Sequence, residues 1–120
     1  MQNEEIKVET FEDENGKRPF DEWALELPIN VSAHVTVTVP SRMQRGLLSQ
    51  TKSVGDGVSE YVIDKGPGYR VYFAKDGNKL IILLGGSTKN GQQNAIDSAK
   101  ACWLNYKQRK AALKTSSKKS

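Results

Sequence analysis

The stretch 57–86, which reads GVSEYVIDKGPGYRVYFAKDGNKLIILLGG, constrains the fold more than any other part of the sequence. Gly66-Pro67-Gly68 suits a type II turn, because proline fixes φ at the second position and glycine allows a positive φ at the third. Asp76-Gly77 is typical of a two-residue hairpin turn, which needs positive φ at both positions. The stretch therefore predicts three consecutive antiparallel strands joined by two tight turns.

The middle strand of this predicted sheet carries an arginine. Side chains alternate between the two faces of a strand, so Arg70 and Tyr72 point to the face opposite the neighbouring apolar residues. Residues 80–84, LIILL, are apolar without alternation, which predicts a central strand buried on both faces. A cation inside such a sheet serves either function or a structural ion pair with an acid, and the sequence leaves both open.

Helices are predicted on either side of this stretch, and a strand precedes them. Residues 6–11 alternate and predict a charged edge strand. Proline at the first position begins a helix over 19–27, whose apolar stripe is formed by Phe20, Trp23, Ala24 and Leu27. A final helix begins at Gln93 or Asn94, and its apolar face is formed by Ala95, Ala99, Cys102, Trp103 and Tyr106.

The segment 30–48 fits two patterns. Its valine and threonine residues alternate as in a strand. Yet the apolar residues Val31, Val35, Val39 and Met43 are also spaced as a helical stripe. Pro40 is unfavourable inside either element. Taken alone, these residues favour a strand.

Length and charge indicate one small domain and an anionic partner. The chain has 120 residues, which we divide into a domain, 1–110, and a basic flexible tail, 111–120. Residues 1–26 hold nine acids and three bases, a net charge of −6, whereas the remaining residues hold fifteen bases and five acids, a net of +10. This split favours a nucleic acid as partner, although a solvated basic surface explains it as well.

Several classes of chemistry have no support in the sequence. The chain holds one cysteine and one histidine, His34, which cannot build a zinc site or an internal disulfide. No phosphate-binding glycine motif precedes a helix, and we expect no cofactor and no metal. No signal peptide or membrane span is recognisable, so a cytoplasmic protein without membrane contact is expected.

Four segments, in order along the chain, carry a family resemblance: 15–23 (NGKRPFDEW), 54–60 (VGDGVSE), 66–73 (GPGYRVYF) and 83–86 (LLGG). Together they resemble the RelE/ParE toxin superfamily, and within it the phage-derived addiction module killer protein group, which is HigB-like. The resemblance implies an α+β fold, with a small antiparallel sheet packed against an N-terminal helical hairpin and a C-terminal helix. It also makes 30–46 the second helix of the hairpin, with a kink or break at Pro40.

The resemblance implies a toxin of a type II toxin–antitoxin system. RelE-like members cut messenger RNA in the ribosomal A site with basic residues and a tyrosine. By position, Arg70 would stabilise the phosphate, Lys52 and Lys89 would act as base or phosphate clamp, and Tyr72 would stack on a base or donate a proton. The expected partners are messenger RNA, the ribosome and a cognate antitoxin of helix-turn-helix type, in a toxin–antitoxin hetero-oligomer. For each lysine the alternative is a solvated surface position.

Two departures from the family pattern keep other functions open. Relatives commonly hold an arginine where this chain has Val62, and the loop 87–91 is one residue longer than usual. The sheet thus lacks a cation that would cooperate with Arg70, if position 62 faces the same side. Alternative functions are a ParE-like DNA gyrase poison, which binds through the hairpin without catalysis, and a non-toxic module that binds an antitoxin or nucleic acid.

Overall fold

The computed structural model describes residues 5–118, which fold into one sheet with helices on both faces. The strands are β1 (Lys7–Thr10), β2 (Thr51–Gly55), β3 (Val58–Ile63), β4 (Tyr69–Lys75) and β5 (Leu80–Thr88). The helices are α1 (Pro19–Leu25), α2 (Ile29–Ala33), α3 (Val39–Gln44) and α4 (Gln92–Lys118). A π-helical turn, His34–Thr38, joins α2 to α3, and a 3-10 turn, Lys89–Gly91, precedes α4.

The sheet has five strands in the order β1-β5-β4-β3-β2. Strands β3, β4 and β5 are antiparallel neighbours, which confirms the three strands predicted from 57–86. The predicted edge strand is also present as β1, but it runs parallel to β5. The sheet is therefore mixed rather than antiparallel throughout, because β1 lies beside the last strand while the helices carry the chain across one face to the far edge.

The second strand and its turn are the main differences from the sequence prediction. The polar segment 47–56 was expected to be a connection without a strand, but it contains β2, which needs few apolar residues because it lies at the edge of the sheet. The turn into β3 has positive φ at both Asp56 (+57°) and Gly57 (+84°), which is the geometry predicted for Asp76-Gly77. At Asp76 the connection spans residues 76–79 and closes through a 2.8 Å hydrogen bond from the Asp76 amide to the Leu80 carbonyl. The prediction of a two-residue turn there was wrong.

The segment 29–44 is helical, so the strand favoured by its residues alone is wrong and the helix implied by the resemblance is confirmed. The Val39 amide donates to the His34 carbonyl, five residues back, in the π-helical turn that ends just before Pro40. Proline has no amide donor, and its ring clashes with the carbonyl four residues back in a regular α-helix. The wider turn interrupts the α-helical pattern where the proline requires it. The chain nevertheless stays helical through Pro40 into α3, so the break predicted there is absent.

Two apolar clusters lie on the two faces of the sheet. The hairpin formed by α1–α3 packs on one face, around Phe20, Val35, Val39, Met43, Tyr61, Val71 and Phe73. Helix α4 packs on the other, around Val58, Tyr72, Ile82, Leu84, Ile96, Ala99 and Trp103. Trp23 packs against the first cluster and covers Gly86, which lies inside β5.

Helix α4 extends well beyond Tyr106, the last residue of the apolar face from which the helix was predicted. It runs from Gln92 to Lys118, so the predicted division between a domain, 1–110, and a flexible tail, 111–120, does not coincide with the end of a helix. Residues 1–4 and 119–120 of those two ranges lie outside the described residues. No helix among the described residues is long and apolar enough to cross a membrane.

Candidate functional site

The site centres on Arg70, near the start of β4. Arg70 pairs with Val62 on β3 and with Ser87 on β5, so it lies in the middle of the sheet. Its side chain is on the face that α4 covers, as the alternation along β4 predicted. Because α4 begins at Gln92, shortly after β5 ends, the first turn of this helix lies over the same end of the sheet.

A carboxylate lies beside Arg70. The Nε atom of Arg70 is 3.5 Å from Oε1 of Glu60, and the two side chains are only 14% and 6% exposed. Gln92 donates from Nε2 to the same Glu60 oxygen over 2.8 Å. Nε of Arg70 is buried and forms no hydrogen bond. The ion-pair alternative for Arg70 is therefore present in the structure, and most of this side chain is covered.

Glu60 is the site residue that the sequence analysis missed. It is two residues from Val62 in β3, so the period of two places it on the same face as Arg70. That signal was available once the strand register was known. Gln92 and Ser87 were missed as well, because they come from the start of α4 and the end of β5 and approach Glu60 and Tyr72 only in the folded sheet.

Lys89 lies close to Arg70, on the other side of Gly68. The Lys89 amide donates to the Gly68 carbonyl over 3.2 Å. A β-carbon at Gly68 would be 3.6 Å from Nη1 of Arg70 and 3.9 Å from Cβ of Lys89. The structure thus brings these two predicted residues together around a glycine with φ of +79°, and Lys89 is exposed.

Lys52 lies on the other side of Glu60. It is on β2 and pairs directly with Glu60 in the strand register, so the two side chains share a face about 5 Å apart at their β-carbons. Lys52 is exposed, as expected at the edge of the sheet. Lys52 and Arg70 therefore flank one carboxylate, and the three sequence-predicted cations lie at the same end of the molecule.

Tyr72 does not have the role that the resemblance implied. Its side chain is fully buried beneath α4, and its hydroxyl is 3.0 Å from Oγ of Ser87. Burial raises the pKa of this phenol above its usual value, and the nearby Glu60 adds to the effect, although the Ser87 hydrogen bond opposes it. A side chain with no exposed surface cannot stack on a base or deliver a proton to a substrate, so this prediction is corrected.

Val62 faces the same side as Arg70, directly opposite it on the neighbouring strand. An arginine there would have placed two guanidinium groups side by side. Valine instead supplies a half-buried apolar neighbour, which leaves Arg70 as the one guanidinium in this pair of strands. In the longer connection 87–91, residues 87–88 belong to the end of β5 and residues 89–91 form the 3-10 turn that carries Lys89.

The remaining reactive groups do not assemble around this site. Among residues 5–118, no group of three or more His, Cys, Asp or Glu side chains could hold a metal ion. His34 has a pKa lowered by burial and by nearby Lys65 and Arg42. Burial raises the pKa of the Cys102 thiol, which is half-buried and packs against the α4 cluster.

Comparison with known proteins gives a relative of bacterial origin. No family model and no solved structure matches the chain. An uncharacterized protein of Haemophilus influenzae is 39% identical over 82 residues, which are 68% of this chain and 82% of that protein. Similarity of this degree and coverage shows common descent, so the chain belongs to the same family as this Haemophilus influenzae protein.

Proposed function

We propose that this protein is the toxin of a type II toxin–antitoxin system, with a RelE-like fold, and that it cuts messenger RNA on the ribosome in the cytoplasm. The observation that carries the proposal is the arrangement of three cations at this end of the sheet: Arg70 is paired with Glu60, Lys52 lies opposite Glu60 on the neighbouring strand, and Lys89 lies beside Gly68 and Arg70. Three cations and one anion leave a net positive charge at one end of the sheet, which favours a phosphate group.

The ion pair with Glu60 is compatible with this function. A guanidinium held by a neighbouring carboxylate keeps one orientation, and fixed donors stabilise developing negative charge better than mobile ones. The Nη1 atom lies towards Gly68 and Lys89, away from the Nε atom that faces Glu60. We therefore assign phosphate contact to the outer part of the guanidinium and a positioning role to Glu60.

The reaction that these groups suit is transfer of the phosphate within the RNA chain. The ribose 2′-oxygen attacks the adjacent phosphorus, the bond from phosphorus to the 5′-oxygen breaks, and the products are a 2′,3′-cyclic phosphate and a 5′-hydroxyl. A general base, for which Lys52 and Lys89 are the candidates, accepts the proton of the 2′-hydroxyl, and Arg70 balances the charge of the phosphorane. With Tyr72 buried, the proton for the 5′-oxygen comes from another group, such as an RNA- or ribosome-bound water.

The proposal includes a cognate antitoxin. An antitoxin of helix-turn-helix type with an acidic or extended segment would cover Lys52, Lys89 and the exposed edge of the Arg70 site. Such a contact neutralises the cations and blocks RNA in one step. The toxin and antitoxin would then form a hetero-oligomer, which is the inactive form.

Induced expression in a bacterial host tests the toxin function. Wild-type protein without an antitoxin should stop growth and translation, and Arg70→Lys should restore both, because lysine keeps the charge but loses the planar guanidinium. A double variant, Arg70→Gln with Glu60→Gln, removes the ion pair without leaving a buried charge and should be equally harmless. Arg45→Ala, which removes an exposed arginine of the hairpin, is the matched control and should remain toxic.

A second candidate is a gyrase poison that contacts its target through the helical hairpin. Leu25 is 82% exposed and Ile29 is 89% exposed, and both lie where α1 passes into α2. Large apolar side chains this exposed favour a protein contact. If arrested cells contain broken DNA and intact transcripts, and if Leu25→Ser with Ile29→Ser restores growth, this second function replaces the first. Growth unaffected by the wild-type protein would contradict both and leave a non-toxic binding module.

A further inference from the structure

A second basic surface lies away from Arg70, between α4 and the β4–β5 connection. It is a cleft of about 260 Å³, and we name it the lysine cleft. The residues that line it are Lys75, Asp76, Trp103, Tyr106, Lys107, Lys110, Ala111 and Lys114. Four of these eight residues are lysines and one is an acid.

The wall of the lysine cleft is fixed by hydrogen bonds and ring packing. Tyr106 donates to Oδ2 of Asp76 over 2.5 Å, and Lys110 donates to both oxygens of Asp76 over 2.8 and 2.6 Å. The rings of Trp103 and Tyr106 are stacked, with centroids 5.2 Å apart. These contacts connect the middle of α4 to the end of β4, so the cleft is a formed surface rather than a group of loose side chains.

The charge of the lysine cleft is not balanced locally. Asp76 forms short contacts with Lys110 and Tyr106, and the more distant Lys114 also helps to lower the pKa of its carboxyl. The described acids form no ion pair with the exposed residues Lys75 and Lys107, so four lysines face one carboxylate. Lys107 instead places its Nζ atom 5.4 Å from the centre of the Trp103 ring. Lys107 and Lys114 are two helical turns apart on α4, which places their β-carbons about 10 Å from one another along the helix. Such a row of cations suits a chain of phosphates better than one isolated anion.

We propose that the lysine cleft binds the phosphate backbone of single-stranded RNA through Lys75, Lys107 and Lys114. The ring of Trp103 is covered by Tyr106 and Lys107, so the cleft offers cations rather than an open stacking surface. We therefore expect binding with little dependence on base sequence and strong dependence on salt.

This site is separate from the proposed cleavage site. Arg70 is near one end of β4 and Lys75 is at the other, so the two sites are about 17 Å apart along the strand. Binding at the lysine cleft needs neither cleavage nor a ribosome. The inference therefore goes beyond the proposed function, and either can fail while the other stands.

Fluorescence anisotropy of a labelled, short single-stranded RNA tests the inference, with the purified full chain and no ribosome present. The variant Lys75→Ala/Lys107→Ala/Lys114→Ala should bind at least about tenfold more weakly, and the slope of log affinity against log salt should become shallower by about 2. The matched control is Lys7→Ala/Arg45→Ala/Lys65→Ala, which removes the same charge from exposed positions elsewhere. It should keep most of the affinity.

Two further arms make the result decisive. The corresponding variant with three arginines in place of the three lysines keeps the charge and should bind as the wild type does, and circular dichroism should show the same helix content for every variant. Equal losses in the cleft variant and in the control would mean that only net charge matters, which would overturn the proposal. Binding to anionic lipid vesicles without binding to RNA would also overturn it.

Discussion

Arg70 is a largely buried cation, and its face and its ion-pair partner differ in how well the sequence predicts them. Period-two alternation in β4 correctly predicted the face on which it lies. The sequence did not reveal that Glu60 is its partner, because that contact depends on the register between β3 and β4, and the register depends on turn 64–68. In the structure this turn closes through a hydrogen bond from the Gly68 amide to the Lys65 carbonyl. The turn therefore begins at Lys65, whereas the predicted type II turn begins at Gly66.

Glu60→Gln tests the ion pair at the residue scale. The substitution leaves the largely buried Arg70 without its carboxylate, while the new amide oxygen still accepts from Gln92. We expect the free energy of unfolding to fall by about 3 kcal/mol, because an uncompensated charge remains in a poorly solvated position. Denaturant titration measures this. Unchanged stability would mean that Arg70 is already well solvated.

Tyr72→Phe separates a structural tyrosine from a catalytic one. Loss of the hydroxyl leaves Oγ of Ser87 without this partner inside the protein, which should lower stability by about 1 kcal/mol. Growth arrest should be unchanged, because the side chain has no exposed surface. Growth assays beside thermal unfolding check both points, and a stable Tyr72→Phe variant that no longer arrests growth would contradict the structural role.

At the scale of elements, the helical hairpin shows where sequence patterns conflict. Residues 29–44 satisfy strand propensity and helical spacing together, and tertiary packing decides between them. Val35, Val39 and Met43 are all fully buried against the sheet. Their spacing of four would place them on one face of a strand as well as on one side of a helix, so the spacing alone does not decide between the two. The family resemblance gave the correct element where the residues alone did not.

Gly86→Ala tests how closely α1 approaches the sheet. A β-carbon at Gly86 would overlap the six-membered ring of Trp23, which packs on the core. We expect a loss of about 1–3 kcal/mol in stability, because either the ring or β5 must shift. Gly91→Ala is the control, since nothing lies within 4 Å of the corresponding position. Equal stability of the two variants would show that Trp23 moves away without cost.

Asp76→Asn tests the contact between α4 and the β4–β5 connection. The hydrogen bonds from Lys110 and Tyr106 lower the pKa of the Asp76 carboxyl, so the folded protein favours its charged form. This stabilisation is fully present above the unfolded pKa of about 4 and is lost as pH falls through the lower folded pKa. The variant should therefore be less stable at neutral pH by roughly 1 kcal/mol. The loss is small because Lys110 and Asp76 are partly exposed to solvent, which screens their interaction.

The pH profile provides the check on Asp76. Thermal unfolding of wild type and variant should converge in acid, whereas Asp64→Asn, at an exposed acid, should change little at any pH. A difference that persists in acid would show that the asparagine disturbs packing rather than removing a charge. Burial, together with the hydrogen bond to the same carboxylate, raises the pKa of Tyr106 to about 12, so the phenol keeps its proton well above neutral pH.

At the scale of the whole molecule, strands β3–β5, the edge strand β1 and the start of α1 follow from local patterns in the sequence. The parallel pairing of β1 with β5 does not, because it depends on how the helices cross the sheet. The extent of α4 beyond its apolar residues does not follow from local patterns either, since its basic end has no apolar stripe. The contacts of Asp76 with Tyr106 and Lys110, and of the Glu12 carbonyl with Arg109, tie the middle of α4 to the rest of the fold.

The sequence likewise predicted only part of the candidate site. Arg70, Lys52 and Lys89 come from three separate segments, and the resemblance selected them without geometry. The fold brings all three to one end of the sheet, but it also buries Tyr72 and pairs Arg70 with Glu60. Burial and pairing depend on the position of α4 over the sheet, which no local pattern determines.

Mapping messenger RNA ends on purified, programmed ribosomes tests the central claim most directly. With wild-type protein we expect a cut within the A-site codon, a 2′,3′-cyclic phosphate on the upstream fragment, and no cut when ribosomes are omitted. The Arg70→Gln/Glu60→Gln variant, shown to be folded, should leave the message intact. Intact messages with the wild-type protein, or equal cutting by that variant, would contradict a ribonuclease that depends on Arg70.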